Sequence, residues 1–350
     1  MIIFNNIYRN IITPENIFQC WEEFLVGKKK KKDVLIFERN LEDNLFGLYH
    51  ELKEKMYMPG DYSGFYVRDP KLRLIHKAAV ADRVVHHIVC RELERIFEPS
   101  FYAHSYSCRK NKGTHKGVLA FYSLARKASK NNTKTCWVLK CDVKKFFASI
   151  NQQILLEILK RKIKDDDYIG LLRKIIDSFH SDRTTDISNK KGIPIGNLTS
   201  QYFANIYLND LDQFVKQKLK VKYYVRYADD FVILSCDKLY LENLLPSIQL
   251  FLKEKLDLIV HPDKIFFKKF SSGVDFLGYI IFPHYILPRT KTRRRLFRKI
   301  KLKIEEYKSG EITIEKLNQT IQSYLGYLSH ANSYKLRREL KNLIWYWLTE

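Results

Sequence analysis

Residues 222–234 read KYYVRYADDFVIL, a run of β-branched and aromatic residues that two adjacent acids, Asp229 and Asp230, interrupt. The pattern predicts two short strands, Tyr223–Arg226 and Phe231–Leu234, with the acids in the turn between them. Ala-Asp-Asp is a weak turn sequence, because it lacks the Asn-Gly or Asp-Gly that two-residue hairpins prefer. The acids are either solvating residues of an exposed turn or carboxylates beside a core, which a cation or metal must balance. Two oxygen ligands without a nearby Cys or His favour Mg²⁺ over Zn²⁺.

The composition predicts a globular chain with a polyanionic partner. Its 350 residues suffice for one large domain or a few smaller ones, and a hydrophobic content of 45% supports a substantial core. Lys and Arg number 62 against 39 Asp and Glu, which gives a net charge of +23. This charge favours nucleic acid binding. A ribosomal-type structural protein, or compositional drift in a Lys-rich proteome, would show the same balance.

The cysteines and the hydropathy predict the cellular compartment of the protein. Six cysteines are scattered without CxxC pairs, which is typical of reduced thiols in the cytoplasm and not of a disulfide framework or a zinc site. No segment is apolar for long enough to span a membrane, and the first residues lack the pattern of a secretion signal. We therefore expect a cytoplasmic protein without membrane contact.

A third acid stands at the end of another predicted strand. The segment WVLKCDVKKFFASI (137–150) predicts a buried strand, Trp137–Cys141, that presents Asp142 at its end. Asp142 and Asp229 are 87 residues apart in sequence, and two β elements of one antiparallel sheet could bring them together. Carboxylates in that arrangement suit two Mg²⁺ ions in phosphoryl transfer, one activating the attacking hydroxyl and the other steadying the triphosphate. Nucleotidyl transfer onto a nucleic acid would also explain the net charge.

Local patterns predict the surrounding elements. YSGFYVRDPKLRLIHK (62–77) indicates strand, Asp-Pro turn and strand, and VDFLGYIIF (274–282) indicates one strand. GIPIGNLTSQ (192–201) predicts a glycine-marked loop that enters a helix. Apolar periodicity also predicts helices. They begin after Thr13-Pro14, cover about 40–55, 81–97, 151–180 and 241–256, and fill most of the C-terminal region.

Seven sequence blocks together resemble the reverse transcriptase family, in both order and approximate spacing. In chain order the blocks are RLIHKAAVADRVVHH (73–87), CDVKKFFASI (141–150), IGNLTSQ (195–201), YADD (227–230), HPDK (261–264), FLGY (276–279) and SYLGYLSHAN (323–332). The first is similar to that family's fingers block and the last to its thumb block. YADD alone would be a weak signal, whereas seven blocks in series are a specific one.

The resemblance implies an α+β right-hand polymerase with fingers, a palm sheet that is antiparallel and flanked by helices, and a helical thumb. The chain would then divide into an N-terminal helical extension (1–59), fingers (60–135), a catalytic palm with part of the fingers (136–285) and a thumb (286–350). Its partners would be an RNA template, the RNA/cDNA duplex and dNTPs. Because such duplexes are bound mainly through phosphates and 2′-hydroxyls, affinity should fall steeply with salt.

Family roles map onto the residues that match these motifs. The implied catalytic residues are Asp142, Asp229, Asp230 and Lys264, the last as the lysine that protonates the pyrophosphate leaving group, although a surface lysine would fit there too. The positions implied for the two Mg²⁺ ions are Asp142, Val143, Asp229 and Asp230. The residues implied in dNTP binding are Arg68, Lys71, Arg73, Phe147, Ile195, Gly196 and Gln201. The residues implied in nucleic acid binding are Arg289, Lys291, Arg293, Arg294, Arg295 and Arg298.

Two of these roles have alternatives. Phe147 resembles the steric gate that excludes a ribonucleotide 2′-hydroxyl, but a core aromatic fits the same position. The basic segment from Arg289 to Lys303 suits RNA, DNA or an accessory protein equally, because all three present or accept the same charge pattern.

The block IGNLTSQ departs from the usual family pattern QGxxxSP at Ile195 and Gln201. This variant resembles the reverse transcriptases of diversity-generating retroelements, which copy a template-repeat RNA with errors at adenines and work with a small basic accessory protein that forms a ring. Replacing an amide by an aliphatic side chain removes hydrogen bonds that could control base-pair geometry. Similar segments occur in other bacterial reverse transcriptases, some of them defence-associated. A group II intron-like enzyme is less favoured, because we find no segment that resembles the DNA-binding and endonuclease extensions of mobile group II intron proteins. The remaining alternative is an RNA-binding scaffold without catalytic activity. Such a protein would not require the three acids Asp142, Asp229 and Asp230, so their presence argues against it.

Overall fold

The computed structural model describes residues 2–68, 72–179 and 190–350. Within these ranges, helices and antiparallel strand pairs form an α+β fold, which confirms the predicted fold class. None of the described helices has both the length and the hydropathy that a bilayer crossing requires.

The strands of the described residues form three sheets. Strands β1 (Ser63–Val67) and β2 (Arg73–Lys77) pair in antiparallel fashion, with Val67 opposite Arg73; the predicted Asp-Pro turn between them lies outside the described residues. A four-stranded sheet has the order β4-β5-β3-β6, and a three-stranded sheet has the order β7-β8-β9. The strands of these two sheets are β3 Trp137–Asp142, β4 Tyr223–Tyr227, β5 Asp230–Ser235, β6 Phe266–Lys269, β7 Val274–Phe276, β8 Tyr279–Ile281 and β9 Ile286–Pro288.

Helices make up most of the remainder. In chain order they are α1 Ile7–Ile11, α2 Pro14–Leu25, α3 Lys32–Glu38, α4 Leu41–Lys53, α5 Val80–Phe97, α6 Thr114–Ala128, α7 Phe146–Ser149, α8 Gln152–Lys160, α9 Asp166–Asp177, α10 Leu198–Gln213, α11 Lys238–Leu256, α12 Thr290–Lys308, α13 Ile314–Ser329 and α14 Tyr334–Thr349. Helix α2 begins where the sequence predicts, because the Thr13 hydroxyl accepts from the Asn16 amide at 3.3 Å and Pro14 occupies the first turn. Helix α3 begins at Lys32, the last of five consecutive lysines (Lys28–Lys32), and was not predicted.

The chain divides into two compact units. The first comprises Met1–Cys108, Asp142–Lys220 and Leu245–Asp263. Helix α5 packs against α2 and α10 in this unit. Its core includes Trp21 and Tyr207, both almost completely buried. Burial of such large aromatic side chains is a main source of stability for the unit.

The second unit comprises Arg109–Cys141, Val221–Leu244 and Lys264–Glu350. Helix α6 packs against β4 and β5, and Phe121 of this helix lies 5.5 Å from Phe276, measured between ring centres. Helices α12, α13 and α14 form a separate apolar cluster of the same unit, whose fully or nearly buried residues are Leu296, Ile300, Ile304, Leu317, Ile321, Leu328, Leu340 and Ile344. This cluster accounts for the helical C-terminal region that the sequence predicts.

The prediction of one strand over residues 274–282 is wrong. The chain turns at Leu277 and Gly278, so that Phe276 pairs with Tyr279 and the segment forms the β7-β8 hairpin. Both turn residues have positive φ, +50° and +90°, which a leucine rarely adopts. The carbonyl of Gly278 accepts hydrogen bonds from the Arg289 amide at 3.0 Å and the Tyr327 hydroxyl at 2.7 Å. Residues distant in sequence thus hold a turn that its own apolar residues do not reveal.

Candidate active site

The two adjacent aspartates lie at a hairpin turn, as predicted. Tyr227 pairs with Asp230, and Ala228 and Asp229 form the two-residue turn between β4 and β5. Ala228 has φ +52°, a conformation that costs a residue with a β-carbon about 1–2 kcal/mol. The guanidinium of the completely buried Arg226 donates to the Ala228 carbonyl at 3.1 Å. A buried cation therefore holds a turn for which the sequence offers neither glycine nor asparagine.

Asp230 is engaged by a lysine of the neighbouring strand. Its Oδ2 lies 3.1 Å from the Nζ of Lys140, and both side chains are largely shielded from water. The same Nζ donates to the carbonyl of Asp275 at 2.9 Å and lies 5.7 Å from the ring centre of Phe276. The ammonium thus balances one carboxylate at the start of β5.

Asp142 is the last residue of β3, and its side chain is half-buried. Its carbonyl accepts from the His261 amide at 2.8 Å. Val143 follows as a buried residue in an antiparallel bridge with Val260. The backbone beside Asp142 is therefore fixed by the segment that leads into the HPDK block.

The donor set fits Mg²⁺ by its chemistry, since Asp142, Asp229 and Asp230 supply only hard oxygen ligands. Within the described ranges, no three His, Cys, Asp or Glu side chains are grouped closely enough to hold a metal ion by themselves. Mg²⁺ normally keeps several waters and binds through one or two carboxylates together with substrate phosphates. Assignment of the metal ligands therefore stays a prediction.

The IGN segment of the glycine-marked loop is attached to strand β2. The His76 amide donates to the Ile195 carbonyl at 3.0 Å, and the Asn197 side chain donates to the His76 carbonyl at 2.8 Å. Gly196 has φ +114°, and a β-carbon there would lie 2.5 Å from Cγ2 of Ile75. Only glycine satisfies both conditions, so Ile195 and Gly196 are held beside the strand that begins with Arg73.

Phe147 and its neighbour Phe146 have different environments. Phe146 is buried, whereas Phe147 is half-buried, and their ring centres are 5.4 Å apart. The Phe147 carbonyl accepts from the Ile193 amide at 2.9 Å, which joins this turn to the glycine-marked loop. The core aromatic is therefore Phe146, and the partly accessible ring of Phe147 is available for the predicted contact with a sugar.

The remaining predicted dNTP-binding residues and the predicted catalytic residue Lys264 lie on different elements of the chain. Arg68 follows β1 and Arg73 begins β2, and both are exposed. Lys71 lies outside the described residues. Gln201 is exposed in the first turn of α10, and Lys264 ends a short 3-10 turn, half-buried.

The six predicted nucleic-acid-binding residues differ in exposure. Lys291, Arg294 and Arg298 are exposed on the face of α12 opposite its buried residues. Arg295 is half-buried. Arg289 is ion-paired with Asp275, and Arg293 lies 3.4 Å from Glu339. Arg289 and Arg293 therefore also have a structural role, which the sequence pattern does not show.

Sequence reasoning missed Lys140 and Arg226. Both are charged residues within otherwise apolar strands, and Lys140 stands two positions before Asp142. A long cation in a buried strand requires a compensating partner. That signal was present in the sequence, but it did not identify which acid or carbonyl the cation meets.

Comparison with known proteins now assigns the family. Residues 67–281, more than half of the chain, match the family described as reverse transcriptase (RNA-dependent DNA polymerase). This match confirms the predicted class of enzyme, an RNA-directed DNA polymerase. The chain belongs to the reverse transcriptase family.

Curated relatives are similar over about two thirds of the chain. Protein YkfC of Escherichia coli strain K12 is 25% identical over 266 residues, 66% of this chain and 69% of YkfC. Group II intron-encoded protein LtrA of Lactococcus lactis is 24% identical over 230 residues, 63% of this chain and 37% of LtrA. The putative COX1/OXI3 intron 2 protein of Saccharomyces cerevisiae is 25% identical over 275 residues, 62% of this chain and 31% of that protein. The chain thus spans much less than half of the two intron proteins.

A solved structure shares the fold. It is telomerase from Candida albicans in complex with a fragment of telomeric RNA, with a TM-score of 0.51 and 12% identity. The similarity covers 85% of this chain and 61% of the telomerase chain. At this identity the comparison supports the polymerase fold and nothing finer.

Proposed function

We propose that the chain copies RNA templates into DNA by two-metal nucleotidyl transfer at Asp142, Asp229 and Asp230. The strand order carries this proposal, because Asp142 ends β3, Asp230 begins β5, and these strands are neighbours in one sheet. The match to the reverse transcriptase family supports the same reaction. Bound Mg²⁺ would supply activation of the 3′-hydroxyl and stabilisation of charge on the leaving pyrophosphate.

The chain's own residues would bind and orient the nucleotide. Arg73, with Arg68 or Lys71, would hold the triphosphate through charge-assisted hydrogen bonds. The half-buried ring of Phe147 would exclude a 2′-hydroxyl by direct contact. Lys264 would donate a proton to the pyrophosphate oxygen as it leaves.

The exposed face of α12 would bind the template duplex. Lys291 lies in the first turn of this helix, where the helix dipole disfavours positive charge, and Arg294 and Arg298 follow on the same exposed face. A row of exposed cations that begins at a helix N-terminus fits a polyanionic ligand. In this assignment residues 1–59 are an extension, 60–135 fingers, 136–285 palm with part of the fingers, and 286–350 thumb.

Within the family, the proposed subtype is the error-prone enzyme of a diversity-generating retroelement. The aliphatic side chain of Ile195 supports this, since it stands where most family members carry a glutamine amide, and its backbone is held by His76. Such an enzyme would act in the cytoplasm with a small basic accessory protein that forms a ring. The second candidate is a group II intron-like enzyme, which the similarity to LtrA favours. A defence-associated enzyme is the third.

Primer extension on a defined RNA template with Mg²⁺ and dNTPs tests the reaction. We expect Asp229→Asn, which keeps the shape and removes the charge, to abolish extension. Asp43→Asn, the same change at an exposed position of α4, should extend as the native chain does. Equal extension by both variants would contradict the assignment, and no extension by the native chain would favour an idle scaffold.

Sequencing the products tests the subtype. Errors concentrated opposite template adenines are expected from the native chain, and fewer from Ile195→Gln, because the restored amide can again hydrogen-bond beside the nascent pair. An unchanged substitution spectrum in Ile195→Gln would count against the role of this residue. Accurate extension by the native chain would remove the diversification role and leave the polymerase.

A further inference from the structure

Lys140 is a cation within a largely buried strand of the four-stranded sheet. Its strand neighbours Leu139 and Cys141 are completely buried, and the Lys140 side chain itself is 18% exposed. Residues two apart in a strand project from the same face, so Lys140 projects from the face of β3 that Asp142 also uses. The lysine therefore lies on the face of the sheet that carries the predicted chemistry.

Its ammonium is held by three partners, namely Oδ2 of Asp230 at 3.1 Å, the Asp275 carbonyl at 2.9 Å and the ring of Phe276. Ordering a lysine side chain costs conformational entropy. The three contacts offset this cost and give the positive charge of Lys140 a fixed position beside Asp230. Asp230 is 22% exposed, and water screens a pair of this kind less than a surface pair.

We propose that Lys140 is a positioning residue of the polymerase site, which fixes the Asp230 carboxylate and opposes a second cation at the same oxygen. This rests on the proposed function. A metal ion that approaches this carboxylate meets a fixed positive charge, which lowers its affinity. The ion pair in turn keeps the Asp230 carboxylate in one position, which raises the rate once metal is bound. Lys140 thus affects metal affinity and turnover in opposite directions.

The substitution Lys140→Met removes the charge and keeps the length of the side chain. Mn²⁺ binding to the protein alone, followed by the electron paramagnetic resonance signal of free Mn²⁺, should become about fivefold tighter, because a like charge has been removed. The kcat of primer extension at saturating Mg²⁺ should fall about tenfold, because a charged hydrogen bond to Asp230 has been lost. Lys140→Arg keeps the charge and should retain native Mn²⁺ affinity.

The control is Lys269→Gln in β6, which removes the same charge from a lysine of the same sheet but keeps a polar side chain on the edge strand; the Lys269 ammonium lies over the Trp137 ring at 5.3 Å. Neither Mn²⁺ binding nor kcat should change in this variant. Weaker Mn²⁺ binding together with a lower rate in Lys140→Met would indicate general loss of structure and overturn the proposal, as would no change in either quantity. Absence of extension by the native chain would refute the proposed function instead, while the Mn²⁺ measurement would still test the charge effect.

Discussion

Gly196 has no room for a β-carbon, because it lies against the side chain of Ile75. Replacement by alanine would place a β-carbon 2.5 Å from Cγ2 of Ile75 at φ +114°, whereas carbon atoms pack at about 3.5–4.0 Å. Overpacking of this kind costs about 1–3 kcal/mol, and the positive φ adds about 1–2 kcal/mol. We therefore expect Gly196→Ala to destabilise the loop by about 3 kcal/mol.

Amide hydrogen exchange at His76 measures this destabilisation, because the His76 amide donates to the Ile195 carbonyl and so attaches the loop to β2. A loss of about 3 kcal/mol corresponds to exchange about 10²-fold faster at the His76 amide. Peptides from α4 should exchange as before, which controls for global unfolding.

A second substitution separates the steric clash with Ile75 from the strain of the positive φ. Ile75→Ala removes the atom at 2.5 Å but leaves the positive φ, so Gly196→Ala/Ile75→Ala should recover about half of the lost protection. Native protection at His76 in Gly196→Ala would refute the reasoning, because the loop would then have another way to accommodate a side chain.

Three further predictions concern other parts of the chain. Burial, followed by the charges of His87 and Arg83, lowers the pKa of His86 from 6.5 to about 3. Stability from the neutral imidazole is present above pH 6.5 and is lost as pH falls towards 3. In urea unfolding, the free energy of unfolding should therefore fall by about 2 kcal/mol less in His86→Leu than in the native chain between pH 8 and pH 5. Ala228→Gly should relieve the positive φ and raise stability by up to about 1 kcal/mol, and thermal unfolding that instead occurs at lower temperature would contradict the strain assigned to this turn. Arg298→Gln should reduce the slope of log affinity against log salt for an RNA/DNA duplex by about 0.9, and an unchanged slope would remove this residue from the binding face.

Most elements could be predicted because their patterns are local. The apolar flanks of the Asp229-Asp230 pair predict both strands and the turn to within one residue, and Thr13-Pro14 predicts the start of α2. The local pattern predicts a glycine-marked loop at residues 192–201, and the structure shows why glycine stands at Gly196, namely its positive φ and the closeness of Ile75.

The remaining features depend on contacts that sequence spacing does not encode. The Leu277-Gly278 turn is stabilised by Arg289 and Tyr327, which are distant in sequence. Lys140 meets Asp230 only because β3 and β5 are neighbours.

Strand β6 has a consequence for self-association. It is the last strand in the order β4-β5-β3-β6, and its Lys268 and Lys269 are exposed. A strand at the end of a sheet can pair with another chain, and lysines there disfavour such pairing because two molecules would bring like charges together. The same residues that add to the net positive charge thus protect the sheet that carries the aspartates from growing by a fifth strand, the first step of β-mediated aggregation.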